Sequence, residues 1–337
     1  MTKCPLTKTH HTHIQQAHGG GGKLMDQLIN EMFKPYFGIT DEHDGAFIPV
    51  SNHEIVMTTD SFVVNPLFFP GGDIGKLAIY GTVNDLAVSG AIPKYLSLSF
   101  ILEEGFELSS LDKICHSISQ AAKECNIRIV TGDTKVIEQS GRGGIFINTT
   151  GIGYCEKRLT PNHIRNGDAV IISGDIGRHA MAIMAQRENL SFEPPIESDC
   201  MNLYPVINAL IKNKIDLHCA RDLTRGGLAS SLNELSESAQ LSIQVQKELF
   251  PIHSHVESAC ELLGLSPENM ACEGAFVAFI SPEHTQKAIE ILKANGMDRA
   301  CMIGKVKEAP GPVTMINDLG AELILDRPFG DQLPRIC

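Results

Sequence analysis

No apolar run in this chain approaches the ~20 residues that a bilayer-crossing helix requires, so no membrane span is expected. Basic excess is lacking too: the formal net charge is -12. A phosphate backbone needs a basic face, which excludes a nucleic-acid partner. A phosphate ligand stays open, because a divalent cation can mediate it. No two of the ten cysteines form a Cys-x-x-Cys pair, which excludes a disulfide framework and a structural zinc pattern. They read instead as reduced, small apolar residues. The opening Met1-Thr2-Lys3-Cys4-Pro5 is polar, so no secretory signal is expected and the cytoplasm is the expected compartment. There is no dinucleotide fingerprint and no His-Glu-x-x-His. Gly71-Gly72-Asp73-Ile74-Gly75-Lys76 falls one residue short of a P-loop, and Leu77 stands where Ser or Thr should hold magnesium.

What is present is an ordinary globular composition, 43% hydrophobic and 20% charged over 337 residues, long enough for about two domains. Residues 1–22 are polar, His-rich, aperiodic and end in Gly19-Gly20-Gly21-Gly22, as a flexible arm would. Helical spacing predicts helices over 23–33, 74–89, 111–125, 178–187, 200–213 and 228–239, with Ser109 and Asp112 capping the third. Strands are expected over 55–60, 95–102, 127–130, 145–149, 169–173, 241–246, 275–281 and 313–317. The third strand runs into a Thr131-Gly132-Asp133-Thr134-Lys135 turn, and Gly141-Arg142-Gly143-Gly144 signals a hairpin. Both halves mix strands with helices. The expectation is two α/β (α+β) domains, 23–160 and 161–317, and a flexible tail, 318–337. Pro328 and Pro334 disfavour helix in the tail, which ends on the accessible thiol of Cys337.

Acidic residues recur where strands end or helices begin: Asp44, Asp60, Asp85, Asp133, Asp175 and Asp222. One such Asp is ordinarily a cap or turn residue. Several in glycine-rich surroundings suggest oxygen ligands for magnesium, which takes a few carboxylates plus substrate phosphates. Asp85 is the sharpest, because a charge toward the apolar side of a helix needs a partner. His18 to Gly22 and Gly226-Gly227 are suited to cradling phosphate with backbone N–H groups. Lys135 either meets a phosphate or stays solvated. Glu273, in Ala271-Cys272-Glu273-Gly274, is either a carboxyl of raised pKa or a turn residue before a strand. The cluster His10, His11, His13 and His18 lies in the arm, where metal binding would be adventitious.

Taken together, His18 to Gly22, Thr58-Thr59-Asp60-Ser61, Pro66-Leu67-Phe68-Phe69-Pro70-Gly71-Gly72, Asn84-Asp85, Gly132-Asp133-Thr134-Lys135, Arg221-Asp222-Leu223-Thr224-Arg225-Gly226-Gly227 and the terminal Pro334-Arg335-Ile336-Cys337 closely resemble the HypE family of hydrogenase maturation proteins. The likeness spans nearly the whole chain. Its Asp-rich part is shared with aminoimidazole ribonucleotide synthetase and selenophosphate synthetase, whereas the Pro-Arg-Ile-Cys ending is specific. The resemblance implies a PurM-like architecture: an N-terminal α/β domain that makes a homodimer through a shared β-barrel, a C-terminal α/β domain, and ATP between them. It implies that a HypF-like carbamoyltransferase loads Cys337 with a carbamoyl group. ATP phosphorylates the amide oxygen, loss of phosphate leaves a thiocyanate, and the cyanide passes to iron on a HypC–HypD-like scaffold for [NiFe]-hydrogenase. By the resemblance, Glu273 and Lys135 handle protons, and Asp44, Asp60, Asp85 and Asp222 hold Mg2+. Also by resemblance, His18, Gly19, Gly21, Gly22, Asp60, Gly132, Asp133, Thr134, Asp222, Arg225 and Gly226 meet the nucleotide.

The chain departs from the family at Gly20, where Ser is common, and in its His-rich leader before Gln15. Asp41 and Glu42 are neighbouring alternatives to Asp44. Two other functions are weighed. A selenophosphate-type synthetase would carry its reactive cysteine in the glycine-rich arm, which has none between Gly19 and Gly22. A non-enzymatic thiol or metal carrier would leave the Asp set unexplained.

Overall fold

The computed structural model describes residues 22–28, 30, 46–50, 53–138 and 144–328. In the first half, β1 (Ala46–Val50), β2 (His53–Phe62), β5 (Ala91–Glu103), β6 (Arg128–Ile137) and β7 (Ile145–Cys155) form a sheet in the order β1-β2-β7-β5-β6. Along β7, buried positions such as Ile145 and Ile147 alternate with more exposed ones, the pattern of a sheet covered on one face. The cover is α2 (Ile74–Val88), buried on most sides, and the amphipathic α3 (Leu108–Glu124), which turns Ile114, Ile118, Ala121 and Ala122 inward. A small hairpin, β3 (Phe68–Phe69) with β4 (Gly72–Asp73), leads into α2. There the Asp73 carboxylate accepts the Gly75 and Lys76 N–H groups at 2.7 and 3.1 Å, a side-chain N-cap. The short α1 (Lys23–Leu28) precedes all of these.

The second half holds a seven-stranded sheet, β14-β13-β10-β12-β8-β11-β9. Its strands are β8 (Ala169–Ile172), β9 (Leu217–Asp222), β10 (Ser242–Gln246), β11 (Phe276–Ile280), β12 (Cys301–Lys307), β13 (Thr314–Ile316) and β14 (Glu322–Ile324). The helices are α4 (Arg178–Arg187), α5 (Tyr204–Lys212), α6 (Gly227–Ala239), α7 (Ser254–Leu263) and α8 (Thr285–Ala294). Successive strand residues feed opposite faces. Val170, Ile172, Val277 and Phe279 pack with Leu228, Leu232 and Leu235 of α6. Ile171, Ala278 and Ile280 pack with Val206, Ile207 and Leu210 of α5 and with Leu292 of α8. A further core crosses between the halves, where Leu77, Ile79 and Val83 of α2 meet Ala180, Met181 and Ile183 of α4 and Val256 of α7. Each of these side chains larger than alanine contributes ~1.5–3 kcal/mol when fully buried, so this junction holds α2 firmly between the two sheets.

The structure corrects several expectations. Thr131 to Lys135 is not a turn: β6 stays extended to Ile137, parallel to β5, with Leu98 opposite Gly132 and Ile101 opposite Lys135. A Cβ at Gly132 would lie 2.0 Å from the Leu98 carbonyl oxygen, so this glycine serves close strand approach. Helix α3 starts at Leu108 with Glu107 as its N-cap and no side-chain cap bond, which leaves Ser109 in the first turn and Asp112 just beyond it. Helix α5 starts at Tyr204 rather than 200, since Pro205 fits only a first turn. Residues 318–328 are not a free tail: β14 pairs with β13, and Leu325, Arg327 and Pro328 are buried. The elements β1, β9, α7, α8 and β12 have no counterpart among the predicted ones. Within the described residues the five-stranded sheet is open, with β1 and β6 as edges, and does not close into a barrel. No helix there is long and apolar enough to cross a membrane. His18, Gly19, Gly21, Asp44 and Cys337, and most of the hairpin signalled at 141–144, lie outside the described residues.

Candidate functional site

Carboxylates from both halves converge on α2. Helix α2 lies against β2 and β9; β2 carries Asp60 near its end, β9 ends on Asp222, and α2 itself carries Asn84 and Asp85. The loop before β11 brings Glu273 to the same place, because Asp222 is paired with Phe276. The partner that Asp85 requires is Thr58, whose hydroxyl donates to Oδ2 at 2.6 Å. Asp60 lies 3.8 Å from the Arg225 guanidinium, and its carbonyl accepts from Asn148 at 2.8 Å. Asp222 is 4% exposed, and Ser231 donates to its carbonyl at 3.3 Å. Gly226 (φ +73) and Gly227 (φ +59) make the left-handed step from β9 into α6. A Cβ on Gly227 would meet the Met270 carbonyl oxygen at 2.6 Å, so no larger residue fits this bend.

Glu273 is 3% exposed. Burial first, and then the charges of Asp222, Asp199 and Asp60, hold its carboxyl well above the usual carboxylate range, with Arg225 opposing. It therefore keeps a proton where an ordinary glutamate has lost one. Its main chain is gripped on both sides. The Asp199 carboxylate accepts the N–H groups of Glu273 and Gly274, each at 3.1 Å. The Glu273 carbonyl accepts from Asn84 Nδ2 and from the Met201 N–H, both at 3.3 Å. Asn84, 1% exposed, also donates to the Met201 carbonyl at 3.0 Å and accepts the Leu203 N–H at 2.8 Å. Gly274 is pressed so closely on this loop that a Cβ would lie 1.8 Å from the Asp199 carbonyl oxygen. Burial raises the Asp199 carboxyl to about 6, against the two amide bonds and the charge of Arg178. Sequence reasoning missed Asp199 altogether; it sits 74 residues from Glu273, and no local pattern marks it.

Among the described residues no group of three or more His, Cys, Asp or Glu side chains closes into a cage able to hold a metal unaided. Asp60 and Asp222 instead act together on the Glu273 carboxyl, with Arg225 as the opposing cation, and Asp85 lies on the adjoining helix α2. That donor set suits a hard cation that completes its shell with phosphate oxygens and water.

Gly132, Asp133, Thr134 and Lys135 are not brought to this cluster. Asp60 pairs with Thr149, Thr149 with Leu98, and Leu98 with Gly132. Three inter-strand steps of ~4.8 Å separate Asp60 from Gly132, ~14 Å in all. Lys135 lies three residues further along β6, ~10 Å more, which is beyond the length of its side chain. Lys135 and Asp133 sit 3.8 Å apart on the surface, 73% and 64% exposed. Gly22, at the root of the arm, is buried.

Carboxylates gathered at strand ends where two mixed α/β halves meet mark a protein of the AIR synthase related class. Family models match accordingly: AIR synthase related protein, N-terminal domain, over residues 42–155, and its C-terminal domain over residues 165–317. Within that class the chain is 42% identical to the carbamoyl dehydratase HypE of Rhizobium leguminosarum bv. viciae, an alignment covering 96% of this chain and 95% of the relative. A crystal structure of a HypE–HypF complex superposes with a TM-score of 0.84 at 42% identity, covering 89% of this chain and 99% of the other. HypE crystallised in complex with ATP gives 0.82 at 38% identity, with 95% and 98% covered. The chain belongs to the HypE family.

Proposed function

We propose that this chain is an ATP-dependent carbamoyl dehydratase acting on its own C-terminal cysteine. A thiocarboxamide on Cys337 becomes a thiocyanate as ATP becomes ADP and phosphate, and the product supplies cyanide ligands to the iron of [NiFe]-hydrogenase. The observation that carries this reading is Glu273: a buried, proton-holding carboxyl beside Asp222, Asp199 and Asp60, in a chain so similar to a carbamoyl dehydratase.

The amide oxygen is a poor leaving group, and the nucleotide supplies the phosphoryl group that makes it a good one. What the chain must then do is take two protons from the amide nitrogen and exclude water. Glu273 is the acid–base group for those protons; burial and the neighbouring carboxylates raise its affinity for a proton, which makes it a stronger base than an ordinary carboxylate. Its main chain, tied to Asp199 and Asn84, fixes where the carboxyl sits. Asp60, Asp85 and Asp222, with Asp44, are the residues to hold Mg2+, which neutralises phosphate charge. Arg225, Gly226 and the arm residues His18, Gly19, Gly21 and Gly22 are assigned to the nucleotide.

Residues 23–160 form the nucleotide-binding and dimerisation domain in this reading, the second domain runs from 161 through β14 to Pro328, and the residues after it are the tail that carries Cys337. Every residue of β6 is exposed, and its Gly132, Asp133, Thr134 and Lys135 are out of reach of Glu273 in one chain. Both facts support a homodimer in which two open sheets close a barrel and β6 of one copy serves the cleft of the other. A HypF-like carbamoyltransferase loads the thiol, in keeping with the HypE–HypF complex, and a HypC–HypD-like iron scaffold receives the cyanide. The cytoplasm, where thiols stay reduced, suits the eight free cysteines among the described residues.

Mass spectrometry of the C-terminal peptide tests the reading. After loading by an active carbamoyltransferase, the peptide loses the mass of water when ATP is added. An unchanged mass sinks the dehydratase. Cys337→Ala abolishes the modification and leaves nucleotide binding intact.

A further inference from the structure

The described chain ends in a clamp that the chemistry above does not use. Leu325 is buried in the core beneath α6, and Asn233 of α6 donates to its carbonyl at 2.8 Å. Two residues on, Arg327 is 9% exposed. One arm of its guanidinium donates to Glu237 of α6 at 2.6 Å, and the other donates to Asp26 of α1. Lys23 of α1 adds a pair with Asp326 at 2.8 Å, but both groups are about half exposed, so that pair contributes little. Arg327 is the joint. Its planar fork bridges two carboxylates on two different helices, a task an ammonium group does poorly.

Both helices adjoin functional segments. Helix α1 follows directly on the glycine-rich arm, and α6 follows directly on Arg225-Gly226. The residues clamped between them, 325–328, are the root from which the tail departs. Cys337 follows Pro328 by nine residues, a reach of at most ~30 Å fully extended. With so short a tether, the place and direction of the root decide where the thiol can go.

We propose that Arg327 is a positioning residue, fixing the pivot of the Cys337 tail against α1 and α6 so that the loaded thiol enters the cleft. The proposal rests on the dehydratase reading. The competing role is a staple that merely stabilises the chain end, and the two separate in a rate-against-affinity comparison on the full-length protein.

Single-turnover conversion of carbamoylated Cys337 is measured at saturating ATP, beside the Kd for ATP. In Arg327→Ala the conversion rate falls about tenfold or more, since misplacement of a reacting group is costly in rate. The Kd changes by no more than about twofold, because no ground-state nucleotide contact is lost. Arg327→Lys falls between. Asp26→Ala combined with Glu237→Ala reproduces the loss, and adding Arg327→Ala to that pair costs no more, as for residues acting as one unit. Conversion at the wild-type rate overturns the proposal. So does a parallel loss of rate and ATP affinity, which marks a staple. A wild-type protein that binds ATP yet converts nothing overturns the dehydratase reading and this proposal with it, and it is recognised before any variant is compared.

Discussion

Glu273 binds its proton more tightly in the folded chain than in the unfolded one, where its pKa is near 4.5. A carboxyl raised in this way contributes its full stability below the unfolded value, and that contribution is lost as pH rises through the folded-state value. Glu273→Gln, neutral at every pH, is therefore expected to melt above the wild type by a margin that widens as pH rises above about 5. Thermal melts of the two proteins across that range read it, and a margin that does not change with pH contradicts the assignment. The same replacement removes the acid–base group, so conversion of carbamoylated Cys337 falls ~10²–10⁴-fold while ATP still binds. Asn84 acts one step back. Asn84→Ala leaves the Leu203 N–H and the Met201 carbonyl short of partners in a buried site. Urea unfolding should show a loss of ~1–3 kcal/mol, with turnover reduced because the grip on the Glu273 carbonyl is weakened.

Strand β6 shows what a glycine does inside an element. Gly132→Ala would set a methyl group 2.0 Å from the Leu98 carbonyl, so β5 and β6 must part locally. The expected cost is ~1–3 kcal/mol, read as a lower urea midpoint with an unchanged slope. An unaltered midpoint would mean that the strands already stand further apart. The same strand marks the limit of what the residues disclose by themselves. Gly-Asp-Thr-Lys has the composition of a turn, and only the opposing β5 reveals it as strand. Helix α3 was legible because its apolar stripe is unbroken, and α4 and α6 fell where their spacing put them. Strand β9, buried on nearly all sides, offers no alternation to read. Among the candidate-site residues, Asp85 and Glu273 are legible as carboxylates with small or apolar neighbours, and Asp60 and Asp222 as carboxylates recurring where elements begin or end. Asp199 is not, since its partners come from a distant loop. The tail was misread at its start because nothing local predicts that Arg327 will find Asp26 and Glu237.

The molecule as a whole exposes a surface that one copy leaves uncovered. Ile129, Val130, Val136 and Ile137 of β6 are 39%, 52%, 67% and 41% exposed. An edge strand with so much apolar surface invites pairing with another chain. Lys135, which the proposed chemistry assigns to proton transfer beside Glu273, lies on a β6 that is too distant from that residue in the same chain. A second copy answers both needs, and the two-fold symmetry of such a pair makes the arrangement testable by mixing inactive chains. Lys135→Ala and Glu273→Gln should each abolish conversion when made alone. If β6 serves the opposite cleft, a dimer of one Lys135→Ala chain and one Glu273→Gln chain holds one damaged site and one intact site. Co-expression in equal amounts then restores about a quarter of wild-type activity, since half the dimers are mixed and half of their sites are whole. Were Lys135 and Glu273 of the same chain to act together, every site in every dimer would lack one of them, and the mixture would stay as inactive as its parents.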